Sequence, residues 1–148
     1  MLDHKEELER LVKKMSRPKN LLIVDDDRAL VEVIESYCQE MKMNVTVAHT
    51  PEEGIAAFDG GDFDLALIDL VFPGGSRLDG IDVIRHIRET HPISPPIWLL
   101  TGYPNHKRLA EMGDIGGPVT LVPKPFKNFD LPELLTAVIR AGGAYAAA

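Results

Sequence analysis

Leu21-Leu22-Ile23-Val24 runs without a polar residue into Asp25-Asp26-Asp27. A short apolar run with no alternation predicts a strand buried on both faces, the condition of strands in a parallel sheet. In open α/β sheets ligands bind beyond the carboxyl ends of the strands. Here that end carries three adjacent carboxylates, which repel one another at neutral pH. A hard divalent cation taking only oxygen ligands, Mg²⁺ or Mn²⁺, would relieve the repulsion. The competing reading is a solvated acidic turn, with Asp26 or Asp27 capping the next helix.

The same pattern repeats along the chain. Val45 and Val47 alternate in a strand over Asn44–Ala48, and Leu65 to Ile68 form a buried run that ends at Asp69. Ile97-Trp98-Leu99-Leu100 ends at Thr101-Gly102, and Val119–Val122 is followed by Pro123-Lys124-Pro125-Phe126. Helical patterns lie between: Arg28–Lys42, a helix opened by Thr50-Pro51-Glu52-Glu53, one opened by Asp79-Gly80, a short one over Asn105–Met112, and a last one from Asp130 to about Ala141. Thr50 with Pro51 and Glu53 predicts an N-cap, a proline at the first helical position and a capping box. Strands alternating with helices imply a parallel sheet covered on both faces, and right-handed crossovers leave few topologies.

Before the first strand, residues 3 to 15 form a charged helix with a narrow apolar stripe of Leu8, Leu11, Val12 and Met15. Pro18 stops it. So short a stripe is read as a passive extension in preference to a docking or homodimerising helix. Residues 1–18 are thus taken as an extension and linker, 19–141 as the domain, and 142–148 as a disordered tail or cloning remnant. Net charge is −7, which disfavours direct contact with nucleic acid. The single cysteine, Cys38, has apolar helical neighbours and reads as core; with no second cysteine, no internal disulfide forms, as in a reducing cytoplasm. No apolar run reaches the length of a membrane span, and no signal peptide is visible.

Collected on one rim, the strand ends bring together Asp25, Asp26, Asp69, Thr101 and Lys124. A carboxylate is a competent nucleophile toward phosphorus and forms an acyl phosphate. The incoming group is anionic, so a cation and a lysine must offset the acids. As a set, these residues resemble those of a response-regulator receiver domain of two-component signalling. The motifs are the acidic pair after the first strand, Asp69-x-x-x-Pro73, Asp79-Gly80, Thr101-Gly102 and Lys124-Pro125-Phe126, and the likeness covers roughly Lys19 to Ala141. The resemblance implies a doubly wound, flavodoxin-like (βα)5 fold with strand order 2-1-3-4-5, here with an extra N-terminal helix. It implies that Asp69 takes a phosphoryl group from a histidine kinase or a histidine phosphotransfer protein. Asp26, Asp69 and the backbone carbonyl of Val71 would hold Mg²⁺, with Asp25 acting through water. Thr101 would bind a phosphoryl oxygen, and Lys124 would pair with the phosphoryl group, or with Asp69 when that is free. The Lys124–Pro125 bond would be cis. The chain would work in the cytoplasm as a phosphoacceptor that loses its phosphoryl group slowly, and it would pass the signal to a protein partner that the residues do not name.

Three departures stand out. Leu121 occupies the place of an aromatic switch residue, the loop from Pro73 to Asp79 is about two residues longer than is typical of the family, and the fourth helix is short. A haloacid-dehalogenase-like phosphatase fits less well, because Ala29 stands where that family has Thr or Val. A flavin binder would need a Ser/Thr-rich loop where the acids are. The remaining alternative is a receiver-shaped interaction module that signals without phosphorylation. Nothing after Ala141 has room for a further domain, which leaves open a stand-alone receiver or a piece of a longer regulator.

Overall fold

The computed structural model describes residues 3–14, 19–74, 76–91, 93–103, 105–115, 119–124, 132–133, 136 and 145–146. After an N-terminal helix, α1 (His4–Lys14), strands and helices alternate as β1 (Asn20–Val24), α2 (Arg28–Glu40), β2 (Asn44–Ala48), α3 (Pro51–Asp59), β3 (Leu65–Asp69), α4 (Gly80–Thr90), β4 (Ile97–Thr101) and β5 (Val119–Pro123). A 3₁₀ helix, Lys107–Asp114, joins β4 to β5. The five strands form one sheet in the order β2-β1-β3-β4-β5, and every pairing in it is parallel. This is the expected flavodoxin-like order. Pro123 lies in the edge strand, where its missing N–H is tolerated.

Side chains of β1 alternate between two cores. Leu21 and Ile23 pack with α1 and α2, beside Ile34, Cys38, Leu67 and Trp98. Leu22 and Val24 pack with α3 and α4, beside Phe58, Ile68, Ile84 and Ile87. The unbroken apolar run therefore serves both faces. Trp98, the chain's only tryptophan, is 5% exposed.

The ends of the helices follow local rules. Asp27 caps α2 by accepting from Leu30 N at 3.1 Å. That helix stops at Glu40, short of the expected Lys42, because Lys42 takes φ 56°, a left-handed conformation, and Met43 N then donates to Cys38 O at 2.9 Å. Thr50 caps α3 as expected, but Glu53 reaches back one residue further than a capping box requires. It accepts from His49 N at 2.9 Å and not from the cap itself. The complete capping box is at α4, where Asp79 and Asp82 accept from each other's backbone N–H.

The N-terminal helix docks on the domain. Leu8 is fully buried among Val31, Ile34, Cys38 and Met41, so at least this part of the stripe is spent inside the chain's own core. Tyr145–Ala146, in the stretch expected to be a disordered tail, pairs antiparallel with Ile93–Ser94. The last helix is seen at Pro132, Glu133 and Thr136; its expected start at Asp130 and the Lys124–Pro125 bond lie outside the described residues.

Candidate phosphoacceptor and metal site

Strand register assembles the site. Val24 pairs with Ile68, which sets Asp25 beside Asp69. Asp69 pairs with Leu100, so Thr101 follows one step beyond it, and Thr101 pairs with Pro123, so Lys124 follows in turn. Four residues distant in sequence thus reach the same rim because parallel strands end together.

Asp25 is fully buried, and each of its carboxylate oxygens has a partner. Its Oδ1 accepts from Asp27 N at 2.8 Å and its Oδ2 from Lys124 Nζ at 2.7 Å. Its carbonyl oxygen accepts from His49 Nδ1 at 3.0 Å, which puts the ring proton on that nitrogen. Asp26 is exposed. Asp69 is buried, and its Oδ1 accepts from Leu70 N at 2.9 Å and lies 3.4 Å from Lys124 Nζ. In the resting chain Lys124 therefore sits closer to Asp25 than to Asp69, the partner expected from the resemblance. The fully buried carboxylate has the greater need of a counter-charge.

The electrostatics follow from this crowding. Burial pushes the Asp69 carboxyl up to about 7; the charges of Asp25 and Asp26 add to the rise, and Lys124 opposes it. Burial works against the Lys124 ammonium, but the hydrogen bonds and charges of Asp25 and Asp69 together outweigh it and hold the group above its ordinary value. One oxygen from each of Asp25, Asp26 and Asp69 lies within 4.8 Å of the others. Hard oxygen donors with more negative charge than one lysine offsets are a fit for Mg²⁺. Val71 lies in the loop just past Asp69, half-buried. Thr101 is buried, and its hydroxyl oxygen accepts from Tyr103 N at 2.8 Å. Leu121, in the edge strand, is 40% exposed.

The rest of the rim was not legible in the sequence. His49 lies at the end of β2, and its position directly after a strand was the available signal. Arg108 reaches back from the 3₁₀ helix to Asp79, and a partner 29 residues away leaves no local pattern. Nothing but a glycine fits at the start of α4: a Cβ on Gly80 would stand 2.1 Å from the Asp69 carbonyl oxygen.

Residues 21–138 match the model of the response regulator receiver domain. A CheY-like receiver domain protein from Methanospirillum hungatei superposes with a TM-score of 0.74 at 25% identity, covering 84% of this chain and 96% of that one. The response regulator TrrA of Thermotoga maritima, solved in complex with Mg²⁺ and BeF, superposes with a TM-score of 0.66 at 27% identity, covering 81% and 98%. The transcriptional regulatory protein CpxR of Klebsiella pneumoniae is 32% identical over 120 residues, 81% of this chain and 49% of that protein. The chain thus spans about half the length of the curated relatives it matches. Among the described residues, no helix is long and apolar enough to cross a membrane.

Proposed function

The chain belongs to the response regulator receiver family of two-component systems, and on that footing we propose that Asp69 accepts a phosphoryl group from a phosphohistidine. The donor is a histidine kinase or a histidine phosphotransfer protein in the cytoplasm. A carboxylate oxygen of Asp69 forms a bond to phosphorus as the phosphorus–nitrogen bond breaks, and the imidazole nitrogen keeps the electron pair and takes up a proton. Asp26, Asp69 and the Val71 carbonyl would hold Mg²⁺, with Asp25 acting through water. The burial of Asp25 and its two hydrogen bonds support that indirect role. The bound ion supplies positive charge against the phosphoryl oxygens.

Lys124 stands within reach of both acids and would move its contact from Asp25 toward the new phosphoryl oxygens. Thr101 offers its hydroxyl to the same group. The observation that carries the reading is the convergence of Asp25, Asp26 and Asp69 with Lys124 on one rim. Signal output then passes to a protein partner, with no direct nucleic-acid contact by this domain.

Acetyl phosphate with Mg²⁺, read by intact mass, tests it. The wild type should gain one phosphoryl group and Asp69→Asn should gain none. Labelling of Asp69→Asn at the wild-type level moves the acceptor elsewhere. An unlabelled wild type leaves the alternative, an interaction module that signals without phosphorylation.

A further inference from the structure

A closed circuit of hydrogen bonds runs from Thr101 to Asp69 by the outer route. Thr101 Oγ1 accepts from Tyr103 N at 2.8 Å, and Tyr103 O accepts from His106 N at 3.0 Å. His106 Nδ1 accepts from Arg108 N at 3.1 Å. The Arg108 guanidinium then grips the start of α4. Its Nε and Nη2 donate to the two oxygens of Asp79 at 2.8 and 3.1 Å, and Nη2 also donates to Asp82 Oδ1 at 3.0 Å. Nη1 holds Glu111 at 2.6 Å within its own 3₁₀ helix. Asp79 and Asp82 are the capping box of α4, and the next residue, Gly80, donates from its N to Leu70 O at 2.9 Å. Leu70 N closes the circuit by donating to Asp69 Oδ1 at 2.9 Å and to Leu100 O at 3.0 Å.

The two ends of the circuit differ in slack. At Gly80 there is none, since even a methyl group would collide with the Asp69 carbonyl. Among the described residues, the stretch between β4 and β5 holds the 3₁₀ helix Lys107–Asp114 and no strand to align it. A two-pronged arginine–carboxylate contact fixes direction as well as distance. Thr101 uses one lone pair to accept from Tyr103 N, and that leaves its own O–H to donate. The orientation of that donor depends on where Tyr103 N is held.

We infer that Arg108 is a positioning residue for phosphoryl capture: by clamping the segment after β4 to the cap of α4, it sets the Thr101 hydroxyl relative to Asp69. This rests on the phosphoacceptor reading above. It assigns to Arg108, on the 3₁₀ helix, a role in the reaction that the site residues themselves do not carry. Arg108 itself touches Asp79, Asp82 and Glu111 and none of the acids that would hold Mg²⁺, so its loss leaves those acids in place.

The test is the rate of phosphorylation of the full chain by acetyl phosphate and Mg²⁺, followed by intact mass. Arg108→Ala should slow it by roughly three- to tenfold, with the Mg²⁺-dependent rise in melting temperature unchanged. Asp79→Asn tests the clamp from its other side, because asparagine caps a helix as well as aspartate does. It should slow the reaction to a similar degree. In a Thr101→Ala background, adding Arg108→Ala should cost nothing more, since Arg108 acts through the missing hydroxyl. Wild-type rates in both clamp variants overturn the inference. So does a full further loss in the double variant, the mark of general destabilisation. A wild type that takes no phosphoryl group overturns the phosphoacceptor reading and the inference together, whereas a labelled wild type with an indifferent Arg108 overturns the inference alone.

Discussion

Asp69 carries its negative charge at a cost that pH can reveal. Burial and Asp25 raise its carboxyl to about 7, against roughly 3.9 in an unfolded chain. Between those values the folded protein holds a proton that the unfolded chain has lost, so this group's contribution to stability falls as pH rises through the window. Without metal, wild type should therefore lose more stability between pH 5 and pH 8 than Asp69→Asn. The variant should be the more stable by roughly 1–3 kcal/mol at pH 8. Calorimetry in a chelator measures both, and parallel pH profiles would show that the acids do not strain the fold. With Mg²⁺ added, melting should rise by mass action in the wild type and not in Asp26→Ala. The lifetime of the acyl phosphate belongs to this scale too. Val71 offers no polar group to orient a water, and we expect slow loss of the phosphoryl group that Val71→Asn speeds several-fold, roughly the gain from one hydrogen bond that orients the attacking water. Tyr103 is 60% exposed, which leaves its ring open to solvent. Tyr103→Glu should accordingly change decay less than Val71→Asn does. That Asp25, Asp26, Asp69 and Lys124 gather on one rim was legible from the strand ends. That Lys124 prefers Asp25 was not, because relative burial decides it and burial is a property of the packed rim.

At the scale of elements, α1 is the clearest departure from expectation. Its stripe reveals an apolar side but not where the matching socket lies, and Leu8 finds that socket beside Ile34 and Cys38. Leu8→Ala should cost about 2–4 kcal/mol in urea unfolding, as for a fully buried leucine. Removing residues 1–17 should expose Cys38 to a thiol reagent that barely touches it in the full chain, where burial pushes the thiol up to about 12. Unaltered reactivity would mean that α1 does not seal this face. Gly80→Ala is the sharper probe of α4, since the added methyl meets backbone that a flexible side chain cannot yield for. A loss of about 2 kcal/mol or more is expected in the same assay. The cap of α2 was narrowed to Asp26 or Asp27, and the cap at Thr50 was readable from residue type and spacing. The reach of Glu53 to His49 was not, because a side chain that long has two backbone donors to choose from.

At the scale of the whole molecule, strand–helix alternation was sufficient for a parallel doubly wound sheet, and the strand order needed the family resemblance. A pattern of apolar runs says which residues pair across some sheet but not which runs are neighbours. The arrangement also leaves the chain with a built-in optical gauge. Trp98 sits in β4, aligned with Leu67 on one side and Thr120 on the other, within the core that Leu8 completes. It is three positions before the hydroxyl of Thr101 on the same strand. With a single indole beside three tyrosines, excitation at the red edge, where the phenols do not absorb, makes the emission come from one known place without a dye. Loosening of the N-terminal helix would let water reach that core and shift its colour toward the red. A change confined to the far rim would leave it where it is, so one cuvette could tell undocking from switching in real time.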